Sequence, residues 1–139
     1  MTPANQLVLS DVTGPGKLAL ASASDAAVMW QTSVGDRLAV LSWDATVVDA
    51  QSNLILGGSF YDTVALNGVT LTGRNLTEGF VQKLGLDRSV QWTFRSSDLD
   101  PESRAYFSDL AVAPNGNISV LLESRGQDTA TTFLLGLAP

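Results

Sequence analysis

The acidic side chains that follow Arg95 are the first group in this sequence that could do chemistry. Asp98, Asp100 and Glu102 stand at alternating positions of the stretch RSSDLDPESR. Alternating carboxylates in a loop can hold Ca²⁺, which takes about six to eight oxygen ligands. The stretch lacks the central glycine and the distal glutamate of a complete EF-hand loop, and a solvated loop explains it equally well. The sequence therefore offers a Ca²⁺ site at these three residues as a hypothesis and predicts no other cofactor.

The acidic residues also bear on catalysis. Glycoside hydrolysis uses two carboxyl groups about 5–10 Å apart across a sugar, and Asp62, Asp98 and Asp100 are the candidates. The chain contains neither histidine nor cysteine, which removes the usual general base and any cysteine nucleophile. The Gly-x-Ser-x-Gly nucleophile motif does not occur either. These residues favour a non-catalytic protein, and a carboxylate-dependent glycan-processing enzyme is the alternative.

Aromatic side chains near the expected strand ends form a second candidate site. Tyr61, with Asp62 beside it, and Tyr106 are expected at the surface, where such rings bind sugars or peptides. Trp43 and Phe107 coincide when the chain is aligned with itself so that Asn53 falls on Asn117, and we expect both to pack between repeats. The sequence therefore predicts Tyr61, Asp62 and Tyr106 as ligand-binding residues for a protein or glycan partner.

Composition restricts the partners further. The net charge is -6, and only eight lysine and arginine residues are present, which argues against nucleic-acid binding. Apolar residues make up 45% of the chain, enough for a core, but nowhere do about 18 of them run together as a membrane span requires. The stretch MTPANQLVLSDVTG lacks the basic region and apolar core of a signal peptide, so no targeting signal is predicted within these residues.

The elements that must position these residues are short strands. In stretches such as QLVLS, NLILGG and NISVLLES, apolar residues alternate with polar ones or follow one another directly. Gly, Pro, Asn and Asp separate these stretches. The stretches LNGV and APNGN have the chemistry of tight turns. We expect an all-β protein of about ten to twelve strands.

The strands also recur at nearly fixed distances. The shift from Asn53 to Asn117 aligns one pair of segments, and the slightly shorter shift from Trp30 to Trp92 places residues 18–30 on residues 80–92. The stretch FLLGL, residues 133–137, matches FVQKL, residues 80–84, at a shorter distance, because the stretch DTVALNGVTLTG has no counterpart in the later unit. Four strands in about 50 to 60 residues is the size of a β-propeller blade.

Residues 47–92 resemble the bacterial β-propeller repeat called SBBP. The matching residues are Val48, Asp49, Ala50, Asn53, Gly57, Phe60, Thr63, Val64, Gly68, Thr70, Leu71, Thr72, Phe80, Val81, Lys83, Leu84, Val90 and Trp92. Ser52 replaces a usual glycine, and Glu78-Gly79 replaces the usual aspartate before Phe80. The resemblance implies antiparallel four-stranded blades in secreted or cell-surface bacterial proteins, used as a scaffold or binding platform without a shared catalytic residue set.

The repeats predict one β-propeller-like domain with about two to three blades. We expect a partial blade at residues 5–35, a full blade at 36–95 and a partial blade at 96–139. Propellers close with about four to eight blades, so the chain is a piece of a longer array, an oligomer that completes a ring, or an open variant. Bare blade faces and strand edges favour self-association to complete the propeller.

Overall fold

The computed structural model describes residues 6–11, 16–22, 28–34, 41–73, 77–99, 104–125 and 130–139, and side chains within 42, 44–73, 77–99, 104–124 and 130–139. These residues form twelve strands and a 3-10 turn, Ser96–Asp98, which confirms the all-β prediction. The strands are β1 (Gln6–Asp11), β2 (Gly16–Ser22), β3 (Val28–Val34), β4 (Leu41–Val48), β5 (Leu54–Phe60), β6 (Thr63–Leu66), β7 (Val69–Thr72), β8 (Glu78–Leu84), β9 (Val90–Arg95), β10 (Ala105–Val112), β11 (Ile118–Arg125) and β12 (Ala130–Leu137). In this described part of the chain, no helix is long and apolar enough to cross a membrane.

The strands pair in three antiparallel sheets. The first sheet has the order β1-β2-β3-β6-β7, the second β4-β5-β8-β9 and the third β10-β11-β12. The β6–β7 hairpin turns at Asn67 and Gly68, whose φ angles of 50° and 79° suit an Asn-Gly hairpin turn. Although it is inserted between two strands of the second sheet, the hairpin joins the first sheet, where Leu66 pairs with Val34.

The second sheet is covered on both faces. Its central strands β5 and β8 are buried at every position, and alternate residues point to opposite faces. One face packs with the β6–β7 hairpin in a core of Val48, Leu54, Leu56, Phe60, Val64, Leu66, Leu71, Phe80 and Leu84. The other face packs with the third sheet in a core of Ile55, Val81, Ala105, Phe107, Leu110, Ile118, Val120 and Leu122.

Two glycines allow the third sheet to approach the second closely. A Cβ atom on Gly57 would lie 2.3 Å from the ring of Phe107, and one on Gly79 would lie 3.0 Å from the Leu122 side chain. The Ser59 hydroxyl accepts a hydrogen bond from the backbone N–H of Phe107 at 2.9 Å. The prediction that Phe107 packs between repeats is confirmed, since its side chain is buried at this junction.

The second and third sheets share one pattern of strand pairing. The shift from Asn53 to Asn117 converts the register of β4 on β5 into that of β10 on β11, and it maps the irregularity beside Trp43 onto the one beside Phe107. The pairing of β5 with β8 matches that of β11 with β12 in the same way. The shift from Asn53 to Asn117 places β5 on β11, and the shift from Phe80 to Phe133 places β8 on β12. The repeat found in the sequence is therefore present in the backbone pairing. The side chain of Trp43 lies outside those described.

The turns between the first two strands of these repeats also correspond. Ser52 has a φ of 66°, and Gly116, its equivalent in the third sheet, has a φ of 87°. This left-handed conformation favours glycine, which the third sheet has at this position and the second sheet does not.

The alignment of β2 with β8 corrects one expectation. Leu20 lies opposite Trp30 in the first sheet, as Lys83 lies opposite Trp92 in the second. β3 therefore aligns with β9 as expected, so that Trp30 falls on Trp92. β2 aligns with β8 so that Leu20 falls on Lys83, whereas the expected alignment places Leu20 on Gln82. The expected alignment of residues 18–22 is wrong by one position, because the connection from β2 to β3 is one residue longer than that from β8 to β9.

Candidate functional site

The aromatic candidates Tyr61 and Tyr106 and the acidic candidates Asp62 and Asp98 lie at one end of the second and third sheets. We call this the loop end and define it as residues 60–62, 77–79, 95–99 and 104–106. Phe60 pairs with Glu78 and Phe80 pairs with Arg95, so the connections leaving β5 and β9 and entering β8 meet there. β10 begins at the same end, because the N–H of Phe107 bonds to β5.

Three large side chains at the loop end are exposed to solvent. Tyr61 is 46% exposed, Leu99 52% and Tyr106 38%. The expected exposure of Tyr61 and Tyr106 is confirmed, whereas the sequence did not single out Leu99. Asp62 is exposed with a left-handed φ of 65°, and its carbonyl accepts the N–H of Gly73 at 2.7 Å. Asp62 therefore closes the base of the β6–β7 hairpin and leaves its carboxylate at the surface.

Asp98, the first of the three expected Ca²⁺ ligands, takes part in the 3-10 turn. Its Oδ2 accepts the backbone N–H of Arg95 at 2.8 Å, and its Oδ1 lies 3.7 Å from an Arg95 guanidinium nitrogen. The same guanidinium donates to the carbonyl of Thr72 at 3.3 Å. Asp100 and Glu102 lie outside the described residues. Within the described ranges, no group of three or more His, Cys, Asp or Glu side chains is placed to hold a metal ion.

Buried hydroxyl groups connect the strands beneath the loop end. The Ser96 hydroxyl accepts the N–H of Gly79 at 3.1 Å, as the Ser59 hydroxyl accepts that of Phe107 at 2.9 Å. Both serines are buried. They bond to backbone donors near the junction of the second and third sheets, so hydrogen bonds fix the frame below the exposed side chains.

Two further buried polar side chains at the loop end each have an atom without a hydrogen-bond partner in the described structure. Glu78 is 2% exposed and Ser97 is 7% exposed. Glu78 Oε2 and the Ser97 hydroxyl have no hydrogen-bond partner in the described structure. Buried polar atoms usually have a partner. The sequence marked Glu78 only as a departure from the repeat pattern, and that departure is the one signal that could have drawn attention to it.

The opposite end of the second sheet carries a buried ion pair. Asp49 Oδ1 accepts the N–H groups of Gln51 and Asn53, both at 2.9 Å, and its Oδ2 lies 3.0 Å from Lys83 Nζ. The Asn53 side-chain amide donates to the same Oδ2 at 2.9 Å. Burial alone would raise the pKa of the Asp49 carboxyl, but the hydrogen bonds from Asn53 and Lys83 outweigh burial and hold this pKa below its usual value.

In the third sheet, both members of this ion pair are replaced by uncharged residues. The shift that places Asn53 on Asn117 places Asp49 on Ala113, and the shift that places Phe80 on Phe133 places Lys83 on Gly136. Both charges are absent together from the third repeat. This joint replacement is the sequence signal that could have identified the pair, since its members are far apart along the chain.

The turn from β8 to β9 lies at the same end as the ion pair. Asp87 Oδ1 accepts the N–H of Ser89 at 3.0 Å and its hydroxyl at 2.5 Å. These hydrogen bonds lower the pKa of the Asp87 carboxyl below its usual value. The amide of Gln91 donates to the Asn53 side chain at 3.1 Å and connects this turn to the turn from β4 to β5.

The two ends of the second sheet therefore differ in chemistry. Hydrogen bonds and an ion pair within the sheet engage the polar groups around Asp49. At the loop end, Tyr61, Leu99 and Tyr106 are exposed, and two buried polar atoms have no hydrogen-bond partner in the described structure. Searches of protein-family models, curated proteins and solved structures find no match to this chain.

Proposed function

We propose that this chain is a non-catalytic scaffold of the β-propeller type whose loop end binds a protein or glycan ligand. The matching registers of the second and third sheets support propeller blades, because both sheets are built from one repeating unit and packed face to face. The resemblance of residues 47–92 to the SBBP repeat supports a secreted or cell-surface setting in bacteria. Self-association would complete the propeller by covering sheet faces that the described part of the chain leaves open.

The exposure of Tyr61, Leu99 and Tyr106 at one end carries the proposal. Binding residues often lie on connections that a rigid frame positions, and the two sheets with their bonded serines form such a frame. Exposed aromatic rings offer a large contact area together with a hydroxyl group, which suits both sugars and peptides. Asp62, which is exposed next to Tyr61, supplies a hydrogen-bonding carboxylate beside them.

Binding measurements on paired variants test this proposal. The labelled chain is screened on a glycan array, and the strongest glycan is titrated by calorimetry against the chain and its variants. A protein partner is sought by placing a photo-crosslinking amino acid at position 61 or 106 and identifying the products formed in culture medium of the source organism. The expected result is binding that falls about tenfold or more in a Tyr61→Ser, Tyr106→Ser double variant.

Leu86 provides the matched control. Its side chain is 50% exposed and lies in the β8–β9 turn, at the opposite end of the second sheet. Leu86→Ser should leave the affinity unchanged, and a crosslinker at position 86 should give no product. Equal affinity of the double variant and the unaltered chain would refute binding at the loop end. Release of reducing sugar from a bound glycan would support the carboxylate-dependent enzyme instead.

A further inference from the structure

The outer strand of the third sheet is far more exposed than its counterpart in the second sheet. β12 pairs with β11 on one side, and no described strand pairs on its other side. Its counterpart β8 lies between β5 and β9, and all seven of its residues are buried. None of the eight residues of β12 is fully buried, with Phe133 40% and Leu134 74% exposed. The position that β9 fills beside β8 is thus open beside β12 within the described structure.

Among the described residues, the open side of β12 lacks the features that usually protect an edge strand. Its residues ATTFLLGL include no charge and no proline, and its register against β11 is continuous. Natural proteins protect edges with charges, prolines, bulges or covering segments, because an unpaired apolar edge recruits other strands. An edge of this composition is therefore suited to pairing with a further strand.

The second sheet indicates which side chains such a strand would carry. In the pairing of β8 with β9, Trp92 lies opposite Lys83 and Phe94 lies opposite Val81. The match of β8 with β12 places Lys83 on Gly136 and Val81 on Leu134. A Cβ atom on Gly136 would have no neighbour within 4 Å. An aromatic ring opposite Gly136 would therefore meet no obstruction and would cover the bare backbone, as aromatic rings do beside glycine in sheets.

We propose that the open edge of β12 binds an extended segment of a different protein, antiparallel and in the register of β9 on β8. The bound segment carries aromatic residues at alternate positions, opposite Gly136 and Leu134. Backbone hydrogen bonds supply affinity, and the side chains on alternate positions supply selectivity. This edge is distinct from the loop end, so the interaction does not depend on the proposed function.

A peptide with the sequence of residues 88–95, RSVQWTFR, is the probe. Fluorescence anisotropy measures binding of the labelled peptide to the full chain, and amide NMR spectra locate it. We expect saturable binding, with shift changes concentrated in the amides of residues 133–137. A peptide in which serine replaces the tryptophan and the phenylalanine should bind about tenfold more weakly, since aromatic anchors dominate such contacts.

Two lysine variants of the chain separate edge pairing from general attraction. Leu134→Lys puts a charge on the exposed surface of β12, where a lysine protects natural edges from further pairing. Ala111→Lys puts the same charge on exposed Ala111 in β10, at the other side of the third sheet. Circular dichroism establishes that both variants fold. Leu134→Lys should weaken peptide binding about tenfold or more, whereas Ala111→Lys should leave it unchanged.

Three results would overturn the proposal. The first is absence of peptide binding up to about millimolar peptide concentration. The second is a set of NMR shift changes located away from β11 and β12. The third is a dimer, detected by light scattering, that Leu134→Lys abolishes and that excludes the peptide, because the occupant of the edge would then be a second copy of this chain.

Discussion

Replacing Lys83 with methionine is expected to lower the free energy of unfolding by about 3 kcal/mol or more, because it leaves the Asp49 carboxylate buried without its cationic partner. The two side chains are 7% and 1% exposed, and their charged atoms lie 3.0 Å apart. Methionine keeps most of the length of the lysine side chain. The change therefore removes the charge with little change in packing.

The expected size follows from the geometry of the pair. At 3.0 Å, two unit charges in a protein with an effective dielectric constant of about 20 attract each other by roughly 5 kcal/mol. Desolvation of both groups offsets part of this attraction. The remaining interaction should exceed the value of about 0–1 kcal/mol that is typical of exposed ion pairs. Hydrogen bonds from Asn53 still stabilise Asp49 in the variant and limit the loss.

A double-mutant cycle measures the interaction itself. Lys83→Met, Asp49→Asn and the double variant are unfolded in urea, with the fluorescence of the three tryptophans as the signal. The losses of unfolding free energy in the two single variants, added together, should exceed the loss in the double variant by about 2 kcal/mol. Arg104→Met removes an exposed cation and should change stability by less than about 0.5 kcal/mol. Additive losses in the cycle would refute a coupled buried pair.

Four further outcomes follow from individual contacts. Because hydrogen bonds lower the folded-state pKa of Asp49, its contribution to stability is present at neutral pH and is lost as the pH falls below about 4, so urea midpoints should drop there and drop less in Asp49→Asn. Gly57→Ala should lower the free energy of unfolding by about 1–3 kcal/mol, since its Cβ would lie 2.3 Å from the Phe107 ring; an unchanged urea midpoint would contradict the close packing. Glu78→Met should raise the free energy of unfolding by about 1 kcal/mol, because it removes a buried carboxyl group with an oxygen that has no partner among the described residues; a loss measured by urea unfolding would mean that the carboxyl group has a stabilising partner. Gly116→Ala should cost about 1 kcal/mol in thermal or urea unfolding because φ is 87°, and a neutral result would contradict the left-handed conformation.

Local features of the fold could be predicted from the sequence, because they depend on neighbouring residues. Alternation of apolar residues identified the strands, and the Asn67-Gly68 pair identified a hairpin turn that has the expected positive φ angles. The destination of that hairpin could not be predicted in this way. Its pairing with Val34 depends on how the first sheet is placed in space, and the repeat pattern of the second unit carries no information about a partner outside it.

Exposure at the candidate site was predictable for Tyr61 and Tyr106, because polar turns follow or precede their strands. The buried groups beneath them were not. Glu78 and Ser97 are polar residues of ordinary surface type, and they are buried where the 3-10 turn contacts β8. Lys83 matched the repeat pattern, but its partner becomes evident only from the register that places β4, β5 and β8 side by side.

The glycines at the junction of the second and third sheets make the packing face of the second sheet different from the outer face of the third. Gly57 leaves space for the Phe107 ring, and Gly79 leaves space for the Leu122 side chain. Their equivalents in the third sheet are the larger residues Leu121 and Thr132. The outer face of the third sheet therefore lacks the space that the second sheet provides. A further sheet with a ring at the Phe107 position would collide with the Leu121 side chain. A further sheet stacked on this face must therefore carry a smaller residue at the Phe107 position.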